Sequence, residues 1–446
     1  MNSTKELIET AKSRQFVVSA IVFVFLAMNF NSWTVWSDGH AYFAILESMV
    51  QDIDFDLTNQ NQQYGGIYLV TPLEGSNPNR FVSPYGFGAP LLNAPLYAVA
   101  LAIEKIFNIN VIYQRYGLLR TASVNASSNI FGLLAMLFCF ATIKKLGLKL
   151  SALSMIALVI STPLFFYASM TPSFPHAADA FILSGFVFLF VFFEKEKKQE
   201  SKKQLFCGLL LGFASTVRYY NVFLFAFAAL FFIAQKQWKK AVFLTVGFFA
   251  FAWTIPAYWQ LGMGDQGTYI ATTLASDITP NILPVHALDL LANPVHGLLL
   301  WSPIIACSLF GLWLLFKNKQ NKGIALFLAG IFLALVLAYG RTEIWSAGWS
   351  FSARYLTGLF PVFAIGFAAF ETKYGKKAKI IALVLLLYSA FLLLNEAFAF
   401  IDGVEGTPID VLTNWANGKT TIGMFLENIY KFTLLDNAAN LLRGGG

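Results

Sequence analysis

Long apolar stretches separated by short lysine-rich segments run through most of this 446-residue chain, and few folds can accommodate them. Hydrophobic residues make up 57% of the sequence, charged residues only 12%, and the mean hydropathy is +0.61. A soluble chain of this length could not bury so much apolar surface, whereas stretches of about 20 apolar residues match the hydrocarbon core of a bilayer. The sequence therefore predicts an all-α membrane protein that crosses the bilayer many times.

The lysine-rich segments predict how the chain is threaded through the membrane. The positive-inside rule assigns such loops to the cytoplasm, so the loops between them face the other side. The basic loops lie at 144–149, 194–203, 236–240, 317–322 and 373–379. Spans compatible with this assignment lie at about 16–36, 120–143, 150–168, 175–193, 241–260, 297–316, 323–339, 355–370 and 380–400.

Two further apolar segments do not fit as single spans. Residues 86–103 are short, and a crossing there would put the next lysine-rich loops outside, so we predict a juxtamembrane helix on the outer surface. Residues 205–235 are interrupted by Arg218 and predict a pair of short helices with a buried polar tip. The prediction is then about eleven membrane helices in one membrane domain, followed by a small outer-face segment. The domain covers 1–400 with its first outer loop at 37–117, and the C-terminal segment covers 401–446.

Polar residues are distributed unevenly between the two sides of this topology. All 11 aspartates and all four histidines fall on the outer side or its edge, whereas 20 of the 23 lysines lie inside. Seven of the eight arginines are outside or at the buried tip, which the positive-inside rule does not explain. Because the planar guanidinium suits phosphate and carboxylate groups, an outer cavity that combines Arg, Asp and His predicts phosphate-handling chemistry. The net charge of +7 is spread over short loops, so we predict no nucleic-acid partner.

Asp38, in the segment WSDGHAY, lies where the first apolar stretch meets water. A carboxylate held there can act as a general base on a hydroxyl or as a metal ligand, and the alternative is a hydrated helix end. The same outer loop continues through acids at 52, 54 and 56, which are typical of a wet surface, to Arg80. Tyr42 and Tyr85 flank this loop and are candidate contacts for a substrate.

Later outer segments carry the remaining candidates. His176 and Asp179 are one helical turn apart after a Pro-rich break, which suits metal or acceptor binding, or simple capping of the next span. Arg218 with Tyr219 lies inside an apolar stretch, where a charge is a functional candidate unless it snorkels to the interface. Two further segments combine rings that could stack on a sugar with groups that could bind phosphate, although tryptophan at a span end is also typical of an aromatic belt. Their candidate residues are His296, Arg341, Glu343, Trp345, Trp349, Arg354 and Tyr355.

Common nucleotide and hydrolase motifs are not found in the sequence. There is no phosphate-binding Gly-rich loop, paired-Cys zinc site, nucleophile elbow or HExxH, which disfavours ATP-driven transport and the common hydrolases. The three cysteines all lie in apolar stretches, so they predict neither a disulfide framework nor a metal site.

The order of these segments resembles the GT-C superfamily of membrane glycosyltransferases. Within it the chain looks like bacterial relatives of the protein O-mannosyltransferases and of the aminoarabinose transferase of lipid A. The resemblance covers about residues 15–365 and rests on WSDGHAYFAILESMVQDIDFD, FVSPYGFGAPLLNAPLY, the break before His176, GLLLGFASTVRYYN, ANPVHGLLLWSP and WSAGWSFSARYLTGLFP. It implies a GT-C-type helical bundle that moves a sugar, with inversion, from a polyprenyl-phosphate donor to an acceptor hydroxyl. The implied location is the outer face of the bacterial cytoplasmic membrane, with a glycan, lipid or protein as acceptor.

The resemblance also implies roles for particular residues. Asp38 matches the catalytic acid, as general base or metal ligand, and Arg218 and Arg354 match basic positions that bind the donor phosphate, with Arg341 expected to assist them. The expected substrate contacts are Tyr42, Arg80, Tyr85, His176, Tyr219, His296, Glu343, Trp345, Trp349 and Tyr355. A divalent cation, Mg²⁺ or Mn²⁺, could be held by Asp38, His176, Asp179 and Glu343 if the fold brings them together. Gly39, however, stands where many relatives carry a second acid.

Two other functions fit the same sequence. A flippase or transporter for lipid-linked sugars would also be polytopic, but transporters tend to show repeated halves and ionisable groups at mid-membrane. Here no repeat is visible and the polar groups gather on one side, which favours an enzyme. An O-antigen polymerase or ligase would share the outer-face chemistry but use a polyprenyl-diphosphate donor.

Overall fold

The computed structural model describes residues 2–31, 34–67, 70–72, 80–113, 115–196, 200–263, 283–348, 350–402, 407–419, 422–424 and 426. Helices dominate this part of the chain, and the strands form only two short antiparallel hairpins. In the first hairpin Thr71 is opposite Val82, and in the second Ile112 is opposite Gly117. The predicted all-α class is confirmed.

The described helices are named here in chain order. They are α1 (Asn2–Ala11), α2 (Arg14–Asn29), α3 (Asp38–Glu47), α4 (Thr58–Gln63), α5 (Gly88–Ile106), α6 (Leu118–Lys145), α7 (Ala152–Ser161), α8 (Pro163–Phe165), α9 (His176–Glu194), α10 (Gln204–Val217), α11 (Val222–Ala234), α12 (Trp238–Ala252), α13 (Thr254–Met263), α14 (Ala287–Ala292), α15 (Leu298–Trp301), α16 (Ile304–Lys317), α17 (Lys322–Tyr339), α18 (Phe360–Tyr374), α19 (Lys376–Asp402) and α20 (Pro408–Ala416). The strands are β1 (Thr71–Pro72), β2 (Phe81–Val82), β3 (Ile112–Tyr113) and β4 (Tyr116–Gly117). Single turns of π-helix cover Ser48–Asp52 and Phe166–Met170, and 3₁₀ turns cover Ser201–Lys203, Tyr219–Asn221 and Arg354–Leu359.

Seven of the described helices are long and apolar enough to cross a membrane, and the number rises to nine if two bent pairs each count as one span. The chain is therefore a multi-pass membrane protein, but the predicted count of about eleven membrane helices is not confirmed. The predicted pair of short helices between the basic loops is present as α10 and α11. The predicted juxtamembrane segment is α5, whose 19 residues would also suffice to span a bilayer.

Three predicted spans are interrupted. The helix of the first predicted span, 16–36, already ends at Asn29. The span expected over 150–168 bends by 72° at Pro163, because proline cannot donate to the preceding turn. The span expected over 297–316 is divided by Ser302 and Pro303 into α15 and α16. All three predictions overlooked polar or proline residues that end a helix inside an apolar run.

Close helix packing brings the outer loop onto the short helix pair. α10 packs against α12, and a Cβ atom on Gly208 or Gly212 would overlap the α12 backbone. The segment before α5 packs just as tightly against the end of α10, since a Cβ atom on Gly86 or Gly88 would overlap Thr216. Glycine at these positions permits the contact. The outer loop is thereby held beside the tip that follows α10.

Candidate active site

Asp38 is the first residue of α3, and its carboxylate is fixed by an arginine from the far end of the chain. Ser37, with φ of 42°, turns the chain into the helix, where an acid in the first turn complements the helix dipole. Asp38 Oδ2 accepts a hydrogen bond from Arg354 Nη2 at 2.9 Å. Both residues are nearly buried, at 9% and 8% exposed. A buried charge requires such a partner, so the pair holds the carboxylate in one orientation.

The start of α3 packs against the break that precedes α9. A Cβ atom on Gly39 would overlap the Ser173 hydroxyl oxygen and lie 2.8 Å from Ser173 Cβ. Glycine is therefore required at position 39 because a larger residue would overlap Ser173. A second acidic side chain beside Asp38 would not fit without moving Ser173.

Arg218 lies at the tip between α10 and α11, where the helical backbone is broken. Its φ and ψ of −144° and 117° are extended, and a 3₁₀ turn follows. Asn221 in that turn donates hydrogen bonds to Asp179 Oδ1 at 2.7 Å and to the Ala214 carbonyl at 2.9 Å. Asp179 thus anchors the tip to α9. The predicted break between two short helices is present, with Asn221 buried and Arg218 partly exposed.

The Arg218 guanidinium is surrounded by neutral groups. Nη1 lies 2.6 Å from His176 Nδ1, and Nε donates to the Tyr339 hydroxyl at 3.1 Å. The guanidinium carbon lies 4.8 Å from the centre of the Tyr355 ring, a cation–π distance. Among the described residues no carboxylate oxygen lies within 4.0 Å of its nitrogens. Arg218 therefore contributes a positive charge that no ion pair neutralises.

Asp38, Arg354, Arg218 and His176 line one cavity of about 260 Å³. The other lining residues are Tyr42, Pro84, Tyr85, Gly86, Pro175, Val217, Tyr219, Tyr220, Tyr339, Thr342, Ile344 and Tyr355. Tyrosines predominate, and two sets of them stack: Tyr42 on Tyr85 at 4.6 Å, and Tyr339 on Tyr355 at 4.6 Å between ring centres. Burial and the nearby Asp38 raise the pKa of Tyr85, and burial likewise raises the pKa of Tyr42. Both hydroxyls keep their protons; that of Tyr85 donates to Asp38, and that of Tyr42 can donate a hydrogen bond to a sugar.

Several residues predicted for the site lie elsewhere. Arg341 does not line the cavity, although Thr342 and Ile344 in the same loop do. Glu343, whose side chain is 65% exposed, lies 3.6 Å from His286, and Trp345 stacks on the same histidine. His296 and Arg80 also lie outside the cavity and contact other residues. His296 Nδ1 lies 3.1 Å from the Ser350 carbonyl, and Arg80 Nε lies 3.6 Å from Asp56.

One further prediction concerns Trp349, which lies outside the described residues.

The four predicted metal ligands are not brought together. In the described part of the chain no group of three or more His, Cys, Asp or Glu side chains could hold a metal ion. Asp38 is paired with Arg354, His176 Nδ1 faces Arg218, and Asp179 is occupied by Asn221. Glu343 is directed to His286 instead. These donors do not fit a divalent cation, and the prediction of a site made from these four residues is wrong.

Two of the tyrosines that line the cavity, Tyr220 and Tyr339, were not predicted. Tyr339 is the last residue of an apolar span, where a tyrosine is usually explained by the aromatic belt. Tyr220 stacks on Tyr339 at 4.4 Å between ring centres and follows Arg218 and Tyr219 in the sequence. The position of Tyr220 close to Arg218, a charge inside an apolar stretch, could have indicated that it belongs to the site. For Tyr339 the sequence holds no comparable signal.

Comparisons with known proteins find similarity at the level of three-dimensional structure only. No family model and no curated protein matches the sequence. The oligosaccharyltransferase of Archaeoglobus fulgidus, in a complex with Zn and sulfate, aligns with 95% of this chain and 58% of its own, at 13% identity and a TM-score of 0.47. The archaeal oligosaccharyltransferase AglB from Archaeoglobus fulgidus, in complex with an inhibitory peptide and a dolichol-phosphate, aligns with 93% of this chain and 59% of its own, at 13% identity and a TM-score of 0.44.

ArnT from Cupriavidus metallidurans in the apo state is also similar. It aligns with 95% of this chain and 78% of its own, at 13% identity and a TM-score of 0.46. This chain thus spans less than two thirds of the archaeal enzyme's length. Likenesses of this strength assign neither a family nor an activity, so the function has to be argued from the cavity.

Proposed function

We propose that this protein is a membrane glycosyltransferase of the GT-C type. It moves one sugar from a polyprenyl-phosphate donor to an acceptor hydroxyl of a glycan, lipid or protein. The observation that carries the proposal is the pairing of charges in the cavity. One carboxylate is held in place by Arg354, while a second, partly buried cation, Arg218, forms no ion pair with the carboxylates of the described residues. A base and an anion-binding group on one cavity are what transfer from a phosphate leaving group requires.

The reaction is a single displacement. The acceptor hydroxyl gives its proton to Asp38 while its oxygen attacks the anomeric carbon of the sugar. The bond from that carbon to the phosphate oxygen breaks, and its electron pair leaves with polyprenyl phosphate. Attack opposite the leaving group inverts the anomeric centre. Arg218 stabilises the charge on the departing phosphate, and Arg354 is a positioning residue for Asp38 rather than a phosphate ligand.

The size and charge of the cavity favour a small donor headgroup. Pockets that enclose drug-sized ligands measure about 300–1,000 Å³. A cavity of about 260 Å³ suits one sugar ring and its phosphate rather than an oligosaccharide. A single uncompensated arginine also suits a monophosphate better than the diphosphate of an O-antigen polymerase or ligase. The tyrosine rings offer stacking surfaces and hydroxyl donors for the sugar.

The lysine-rich loops indicate which side of the membrane the cavity faces. The lysine-rich loops favour the cytoplasm for the opposite ends of these helices, so the cavity opens to the periplasm or the cell exterior of a bacterial cytoplasmic membrane. The steps above are written for the side chains of the cavity alone, since Asp38, His176 and Asp179 contact Arg354, Arg218 and Asn221.

The test is release of polyprenyl phosphate from a labelled polyprenyl-phosphate sugar by the purified protein in lipid nanodiscs. We expect release that depends on an added acceptor. Asp38→Asn should reduce it by about 100- to 10,000-fold, the range of general-base catalysis. Asp56→Asn is the matched control, because Asp56 is an acid of the same outer loop whose side chain is 37% exposed and does not line the cavity. Normal transfer by Asp38→Asn would disprove the mechanism, and sugar translocation without release would favour a flippase.

A further inference from the structure

The contact between Arg218 and His176 determines where the histidine carries its proton. An arginine side chain has only hydrogen-bond donors and stays charged, so His176 Nδ1, 2.6 Å from Arg218 Nη1, has to accept. A ring nitrogen that accepts carries no proton. His176 is therefore a neutral imidazole with its single proton on Nε2.

Tyr339 obeys the same rule. Its hydroxyl oxygen accepts from Arg218 Nε at 3.1 Å, so its own proton points elsewhere. Both partners of the arginine thus accept on one side and keep a donor on the other. Both also line the cavity. In the described part of the chain neither donor has an acceptor of its own.

We infer that Arg218, His176 and Tyr339 form one anion-binding triad for the departing phosphate, in which His176 Nε2–H and the Tyr339 hydroxyl donate to its oxygens. This inference rests on the proposed glycosyl transfer. The arginine polarises both neutral groups, because each gives electron density to it in one hydrogen bond and donates in another. The phosphate can therefore accept hydrogen bonds from three groups, Arg218, His176 and Tyr339.

Packing holds the two neutral donors in place before a ligand arrives. The His176 ring lies 4.4 Å from the Tyr167 ring and 6.0 Å from the Phe174 ring, measured between centres. Tyr339 is stacked between Tyr220 at 4.4 Å and Tyr355 at 4.6 Å. Donors that need no rearrangement stabilise a developing charge most effectively.

The triad assigns His176 a role different from those expected for a histidine at an active site. Protonation of Nδ1 would place a second cation against Arg218 in a buried cavity, so His176 does not serve as a general acid. A metal ion on Nδ1 would have to displace the arginine. What remains is hydrogen-bond donation from Nε2.

Substitutions at position 176 separate this role from simple support of Arg218. Glutamine can place an amide N–H near the Nε2 position, whereas asparagine can place an acceptor near the Nδ1 position but has no donor at Nε2. We expect kcat to fall by about 100-fold or more in His176→Asn, with less effect in His176→Gln, and the KM for the donor to change little. If His176→Asn equals or exceeds His176→Gln, the histidine only positions the arginine and the inference fails.

The hydroxyl of Tyr339 can be removed without its ring. We expect Tyr339→Phe to keep the stack and lower kcat by about tenfold, together with the affinity for polyprenyl phosphate measured by competition. Tyr388→Phe is the matched control, since that hydroxyl donates to the Leu300 carbonyl outside the cavity. Equal product affinity in Tyr339→Phe and the unmodified protein would overturn the triad. No release of polyprenyl phosphate by the unmodified protein would instead overturn the proposed function, so the two failures can be told apart.

Discussion

Helix α3 carries a buried acid at each end, and the two ends differ in how their charges are balanced. At its start Asp38 is paired with Arg354, and a second arginine, Arg218, lines the same cavity and has no ion pair in the described part of the chain. At its end Glu47 accepts from Arg120 Nη1 at 2.6 Å, and Glu104 accepts from Arg120 Nε at 2.8 Å. One arginine there faces two carboxylates.

Two tyrosines also donate hydrogen bonds to the acid at the end of α3. Glu47 also accepts from Tyr64 at 2.6 Å and from Tyr97 at 3.0 Å, and burial raises the pKa of Glu47 despite these bonds. Every strong hydrogen-bonding group in this network serves another member, so it holds the outer loop to α5 and α6. Burial alone therefore does not distinguish a ligand-binding arginine from a structural one. The difference lies in whether the protein itself neutralises the charge.

Removal of the structural arginine should have the largest effect, and that effect should fall on stability. Arg120→Gln leaves two buried carboxylates without a cation, which costs about 3–5 kcal/mol for a broken buried pair. We expect this loss in the free energy of unfolding, measured by SDS titration in mixed micelles. Turnover per folded molecule should stay near that of the unmodified protein. A variant of normal stability but low turnover would place Arg120 in the chemistry and remove the contrast with Arg218.

Removal of the arginine without an ion pair should show the opposite pattern. Arg218→Gln deletes a partly buried charge that forms no ion pair within the described residues, so the free energy of unfolding should change less than in Arg120→Gln. Transfer should fall by roughly 10²–10³-fold, the cost of one lost oxyanion donor. Arg218→Lys restores the charge but not the fork of donors, so we expect an intermediate rate. Transfer that is unchanged in Arg218→Gln would mean that another group binds the phosphate.

The sequence could predict which residues meet in the cavity better than how they pair. Asp38 and Arg218 stand out because each is a charge at the edge of, or inside, an apolar stretch, and such positions need a reason. Arg354 was expected beside the phosphate but is bound to Asp38, 316 residues away in the chain. No local pattern encodes a contact of that separation. The Arg120 network escaped prediction for the same reason, since its two acids come from different helices.

Helix positions were predictable where apolar runs are continuous and bounded by lysines. The pair α10 and α11 follows from its two basic loops and the interruption at Arg218. The bend at Pro163 and the break at Ser302 were missed because hydropathy averaged over a window hides one proline or serine. Gly39 is the reverse case. In the sequence Gly39 is noticed only because many relatives carry an acid at this position, whereas in the structure glycine allows α3 to pack against Ser173.

The contact at Gly39 gives a smaller effect that tests the first end of α3. Gly39→Ala forces Ser173 or the helix start to move, and overpacking of this kind costs about 1–3 kcal/mol. We expect lower stability and lower turnover, because Asp38 is the preceding residue. Ser173→Gly combined with Gly39→Ala should recover much of both. If the double variant is no better than Gly39→Ala, the overlap with Ser173 is not the reason for glycine here.

The smallest expected effect concerns His40, which lies on α3 between the two ends. Its Nδ1 is 2.7 Å from the Tyr116 hydroxyl, and burial, assisted by the charge of Arg115, lowers the pKa of His40 from 6.5 to about 4. The folded protein therefore binds this proton less readily than the unfolded chain. The resulting stability is complete above about pH 6.5 and is lost as the pH falls toward 4, with about 1 kcal/mol already lost at pH 5.5. His40→Gln should make the free energy of unfolding less dependent on pH between 7 and 5.5 than in the unmodified protein. Equal slopes for the two proteins would mean that His40 has the same pKa in the folded and unfolded states, and α3 would then not be packed as closely against Tyr116 as its two anchored ends require.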